Sequence, residues 1–104
     1  MKKKELVEKL GEIKKINLAL EDYGKPGSGT GSFLEKIEGM IGSFTRNLRA
    51  NLDVELEKDE TKDVRKRLSF CLKLAQAQAQ HQRPDLESWN AIVTIITGIL
   101  SKLN

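Results

Sequence analysis

LESWNAIVTIITGILSKL, residues 86–103, is the stretch on which the fold turns. It is rich in Ile, Val and Thr, residues that individually favour strands. Its spacing argues the other way. Leu86, Trp89, Ile92, Val93, Ile96, Ile99, Leu100 and Leu103 recur at three- and four-residue steps, and Ile95 widens the band. Asn90, Thr94, Thr97 and Ser101 fall on the opposite side. The pattern predicts an amphipathic helix that opens at or just after Pro84, a residue suited to the first helical position. No other segment reads as a strand that could pair with this one, so the fold class follows as all-α. Gly98 costs about 1 kcal/mol relative to Ala in a helix interior, a cost that packing there is expected to offset.

Upstream, a helix is predicted from about Thr61 or Lys62 to about Gln80. Val64, Leu68, Cys71, Leu72, Ala75 and Ala79 share one face, while Phe70, Leu74 and Ala77 lie on another. A helix with two apolar sides contacts two neighbours or a second subunit. Cys71 falls in the main stripe and has no neighbouring base, so it reads as a buried structural thiol. The run Gln76 to Gln82 alternates Gln with small residues, yet Ala and Gln are helix formers and the run continues the helical register. His81 then sits near the helix end, where a cation suits the dipole.

The segment before it has the clearest beginning. Ser32 and Glu35 have capping-box spacing, and Phe33, Ile37, Met40, Ile41, Phe44, Leu48 and Leu52 form the stripe that follows. Gly39 and Gly42 fall on its outer side. The stripe loses phase at Val54 and Leu56, which places the end of this helix between Asp53 and Glu57. The first segment, about 3–21, aligns Leu6, Leu10, Ile13 and Leu20, with Ile16 beside them. Asn17 interrupts that stripe. It reads either as a group near the helix end satisfied by water, or as a buried polar position that fixes register or pairs across an oligomer.

Gly24-Lys25-Pro26-Gly27-Ser28-Gly29-Thr30-Gly31 separates the first two segments. Pro26 stops a helix and the glycines predict a flexible joint, natural or engineered. Glycines ahead of a helix can also bind phosphate. Here, however, the Lys precedes the glycines and no strand leads into them, so the P-loop pattern is not met.

The expected architecture is an antiparallel up-and-down four-helix bundle within a single domain, 1–104. Helix 1 (1–23) and the joint (24–31) lead into a three-helix core (32–104). The joint allows the first helix to dock on its own chain or swap into a dimer.

Composition narrows the function classes. Charged residues are 32% of the 104, too many for a membrane protein, and 38% are hydrophobic, too many for a disordered chain. Glu5, Glu8, Lys9 and Glu12 interrupt what would be the apolar part of a signal peptide after Met1-Lys2-Lys3-Lys4. A cytoplasmic protein is expected. With one Cys and one His, neither a disulfide framework nor a structural zinc site is expected. No nucleophile has a partnered base, so neither an enzyme nor a cofactor nor a small-molecule substrate is expected.

Two function classes remain. The first is a protein–protein interaction module, self-associating as a homodimer or meeting a helical partner through Phe70, Leu74, Ile95 and Ile99. The alternative is nucleic-acid binding through Arg46, Arg49, Lys62, Arg65 and Lys66. Residues 61–83 carry six basic groups against one acid, beside an acidic 26–60 segment with four basic and seven acidic groups. Basic groups at a helix start oppose the dipole, a conflict that a partner would relieve. Phe33 and Phe44 are needed in the core, so no base-stacking platform is expected.

Overall fold

Four helices form: α1 (Lys3–Glu21), α2 (Thr30–Thr45), α3 (Lys58–Ala79) and α4 (Leu86–Lys102). The structure is a computed structural model and describes residues 1–21, 30–46, 51–80 and 86–103. The 24–29 part of the glycine-rich joint, Leu48, Arg49, His81 and Pro84 lie outside the described residues. Among the described residues no strand forms, only an isolated antiparallel bridge between Lys2 and Glu55. The chain is all-α.

Each stripe read from sequence becomes a buried face. Leu6, Leu10, Ile13 and Leu20 of α1 meet Phe33, Ile37 and Met40 of α2, Val64, Leu68, Cys71 and Ala75 of α3, and Trp89, Ile92, Ile96 and Ile99 of α4. The β-branched residues of α4 adopt helix because burial outweighs their weak propensity penalty. Contacts run α1 to α2, α2 to α3, α3 to α4 and α4 back to α1, closing a ring. Across its centre Phe33 and Trp89 meet edge to face, with ring centroids 5.5 Å apart and planes at 78°, a favoured geometry for aromatic quadrupoles. The core draws on all four helices, α1 included.

Three helix boundaries differ from the sequence reading, and two of them have a visible physical cause. α3 begins at Lys58 rather than Thr61, because the Glu57 N–H donates to the Glu60 carboxylate at 3.0 Å in a capping-box arrangement. Asp59 and Glu60 occupy its first turn, where acids suit the positive end of the dipole. Apart from Lys58 at the helix start, the basic residues begin at Lys62, beyond that turn, and the expected dipole conflict is eased. α2 stops at Thr45, not between Asp53 and Glu57, and Asn51 to Glu57 is non-helical. Instead that stretch supplies partners to the start of α1. The Lys3 and Lys4 N–H groups donate to the carbonyls of Val54 and Leu52 at 2.9 and 2.8 Å, and the Leu56 N–H donates to the Met1 carbonyl at 3.0 Å. Helix starts leave such N–H groups without intrahelical partners, and this connection satisfies two of them. α2 also begins at Thr30, so Ser32 lies within the helix rather than at its cap.

Ion pairs join the helices at their edges: Lys3 with Glu60 (3.5 Å), Lys14 with Glu38 (3.6 Å), and Lys102 of α4 with Glu5 of α1. The Lys102 ammonium hydrogen-bonds Glu5 and holds its carboxyl below the ordinary carboxylate range. The glycines need no close approach. A Cβ at Gly11, Gly39, Gly42 or Gly98 would meet nothing within 4 Å.

Candidate functional site

A binary hydrophobic pattern produces a site where it is broken, and both α1 and α3 break it; α1 also leaves Leu18 43% exposed. On α1, Asn17 is 0% exposed, and among the described residues neither its side-chain nitrogen nor its oxygen has a hydrogen-bond partner. The buried reading of Asn17 is the one realised within the chain. On α3, Phe70 is 48% exposed. Its neighbours at three- and four-residue spacing, Asp63, Lys66, Arg67 and Leu74, turn the same flank of α3 towards α2.

There Phe70, Asp63, Lys66 and Arg67 line an open groove of about 410 Å³, closed on the α2 side by Lys36. The Lys36 ammonium stands 4.6 Å from the Phe70 ring centroid, a cation–π distance. Arg67 bonds Asp63 at 3.1 Å within one turn of α3. Lys36 and Lys66 have no carboxylate partner among the described residues. The groove thus combines an accessible aromatic ring with three cations and one acid, and that acid is already paired.

The other residues expected at an interaction face behave differently. Leu74 and Ile95 are half-buried against the core. Ile99 is only 2% exposed, since the α1–α4 contact covers it, so it serves the core rather than a free face. It forms the floor of a smaller groove of about 230 Å³ with Ile95, Gly98, Met1, Lys9, Thr94 and Lys102. Phe70 alone of the four is exposed.

The expected basic patch is dispersed. Consecutive helical residues lie 100° apart, so Arg65, Lys66 and Arg67 leave α3 in three directions. Arg65 turns to α4, where its guanidinium donates to the Leu103 carbonyl beyond the helix end. It lines a separate shallow surface with Ser69, Thr97, Leu100 and Ser101. Lys66 and Arg67 border the Phe70 groove, Lys62 is exposed on the outer face, and Arg46 is exposed just past α2. Arg49 lies outside the described residues. Sequence reasoning overlooked Lys36 and Asp63, which join this site only when α2 and α3 are packed. It also assigned the chain no accessible aromatic platform, and Phe70 is one.

Reactive chemistry finds little support in the described residues. Cys71 is free and buried, and burial pushes its thiol up to about 11, leaving little thiolate at neutral pH. Among the described residues no three His, Cys, Asp or Glu side chains cluster as metal ligands, and no helix is long and apolar enough to cross a membrane. No protein-family model, curated protein or solved structure matches the chain.

Proposed function

We propose that this chain is a non-enzymatic protein–protein interaction module of the cytoplasm that self-associates through the Phe70 face of α3. The observation that carries the reading is Phe70 itself: a large ring left 48% exposed in a groove, while the other described rings, Phe33, Phe44 and Trp89, are buried or half-buried. Exposed aromatics framed by cations are the composition of interaction surfaces, where aromatic residues and Arg are enriched. A lone buried thiol such as Cys71 suits a reducing compartment.

The bundle is read as antiparallel, up and down. Four observations support this. The start of α1 meets residues 52–56 just ahead of α3, Lys3 meets Glu60, Lys102 meets Glu5, and Arg65 reaches Leu103. These contacts put the starts of α1 and α3 and the end of α4 at one end. In the proposed assembly α1 stays on its own chain, because Leu6, Leu10 and Ile13 are already buried there. A swap of α1 through the 24–31 joint is not needed to cover them.

Sedimentation velocity across micromolar concentrations tests the proposal. A dimer that Phe70→Glu converts to monomer is expected, and a wild-type monomer throughout would sink it. Nucleic-acid binding is the second reading, favoured by one observation. An exposed ring among Lys36, Lys66 and Arg67 is also suited to stack a base while cations neutralise phosphates. Retardation of a single-stranded oligonucleotide at low salt, abolished by the double variant Lys36→Glu, Lys66→Glu, would favour that reading.

A further inference from the structure

We infer that the Phe70 groove receives an acidic amphipathic helix of a different protein, which competes with the second copy for the ring. This rests on the interaction-module reading but not on the dimer, and gives the same face a partner of stated chemistry.

The groove has room for a helix. It follows the α2–α3 seam, the least closely packed of the four neighbouring pairs among the described residues. Its α3 flank changes character along the helix. Asp63, Lys66 and Arg67 are exposed; the Phe70 ring, half-buried Leu74 and exposed Ala77 follow. Phe70, Leu74 and Ala77 stand at i, i+4 and i+7, the spacing at which an amphipathic helix is read in a groove.

The sign of the groove selects an acidic occupant. Lys36, Lys66 and Arg67 stand against Asp63 alone, whose carboxylate already bonds Arg67 at 3.1 Å. Lys36 and Lys66 have no carboxylate partner among the described residues, so their charge is free to meet a complementary one. A partner helix running parallel to α3 would set the acids of its first turns over Lys66 and Arg67. Acids there also suit its own dipole. Apolar side chains one and two turns later would then cover Phe70 and Leu74.

The described surface of this chain does not supply such a segment. Two Phe70 grooves meeting face to face would set cation against cation. The other exposed large hydrophobic residues are Leu18 and Val54. Leu18 follows Lys14 and Lys15, and the Glu55 carboxylate beside Val54 is held by the Met1 ammonium at 2.7 Å. Self-association through this face therefore works against charge, and binding of an acidic helix works with it.

Fluorescence anisotropy with a synthetic peptide tests the assignment. The probe is a labelled peptide of about 18 residues, long enough to form a helix. It carries glutamates in its first two turns, a stripe of leucines after them and alanine elsewhere. Saturable binding to the wild type is expected, weakened by added salt. In sedimentation velocity the peptide should dissociate a wild-type dimer. Phe70→Ser and the double variant Lys36→Gln, Lys66→Gln should each bind at least about tenfold more weakly, as the loss of an interface anchor does. All three positions are exposed, and circular dichroism checks that the variants keep their helix content. No binding by the wild type overturns the inference, as does equal binding of a peptide with alanine in place of every leucine. A single-stranded oligonucleotide that displaces the peptide and binds more tightly also overturns it, making the groove a nucleic-acid surface. A monomeric wild type that binds the peptide supports the inference and ends the self-association reading. A dimer that the peptide neither binds nor dissociates does the reverse.

Discussion

α1 and α3 make opposite exceptions to the same rule. α1 buries the Asn17 amide among leucines and isoleucines, and α3 leaves the Phe70 ring in solvent. The two exceptions differ in where their free-energy cost falls. A buried amide without partners loses its water hydrogen bonds, a penalty of about 1–3 kcal/mol borne by the folded chain. A phenyl ring that stays about half solvated costs the fold little, because it gives up only part of its contact with water and gains the Lys36 contact. Asn17 is therefore a matter of stability and Phe70 a matter of encounter, and substitutions should separate the two.

Replacing Leu10, about two turns from Asn17 on the same face, sets the scale. Leu10→Ala should destabilise by about 2–5 kcal/mol in chemical denaturation, the range for buried Leu truncations. A loss below 1 kcal/mol would mean that α1 is not part of the cooperative core. Asn17→Leu keeps the branching of the side chain and removes the unpaired polar atoms. A gain of about 1–3 kcal/mol is expected, and a loss would reveal a partner for Asn17 in the assembled state. Gly42→Ala on α2 provides a neutral comparison, since its new methyl meets open space. It should raise stability by up to about 1 kcal/mol. Phe70→Ser should move monomer stability by no more than about 0.5 kcal/mol, as surface substitutions do, while abolishing association. A large stability loss on Phe70→Ser at protein concentrations too low for assembly would turn Phe70 into a core residue and erase the contrast.

The parts of this molecule that sequence made legible are the parts whose signal is periodic. The stripes of α1, α3 and α4 correspond to buried faces because three- and four-residue spacing maps directly onto one side of a helix. The start of α3 was harder to read, since Lys58-Asp59-Glu60 resembles any charged connection and its cap is a glutamate rather than the usual Ser, Thr, Asp or Asn. The end of α2 depended on something no local window contains: the N–H groups of Lys3 and Lys4, which take up the carbonyls of the 52–54 stretch. The candidate site fared similarly. Phe70 stood out in the sequence as an apolar residue off the main stripe. Lys36 and Asp63 did not, because a groove between two helices exists only after they pack. Arg65 to Arg67 looked like one patch because a sequence is linear, and divided between two surfaces once wound at 100° per residue, Arg65 towards α4 and Lys66 with Arg67 at the Phe70 groove.

The bonds between residues 1–4 and 52–56 also have a consequence in time. A helix start whose partners lie about fifty residues downstream cannot be finished while the chain is still short. Closing a loop of that size costs roughly 3–4 kcal/mol of chain entropy on logarithmic scaling. During synthesis at about 5–20 residues per second, the beginning of α1 therefore waits several seconds for its cap to emerge. The start of α1 is made well before its partners and is among the last parts of the bundle to be secured.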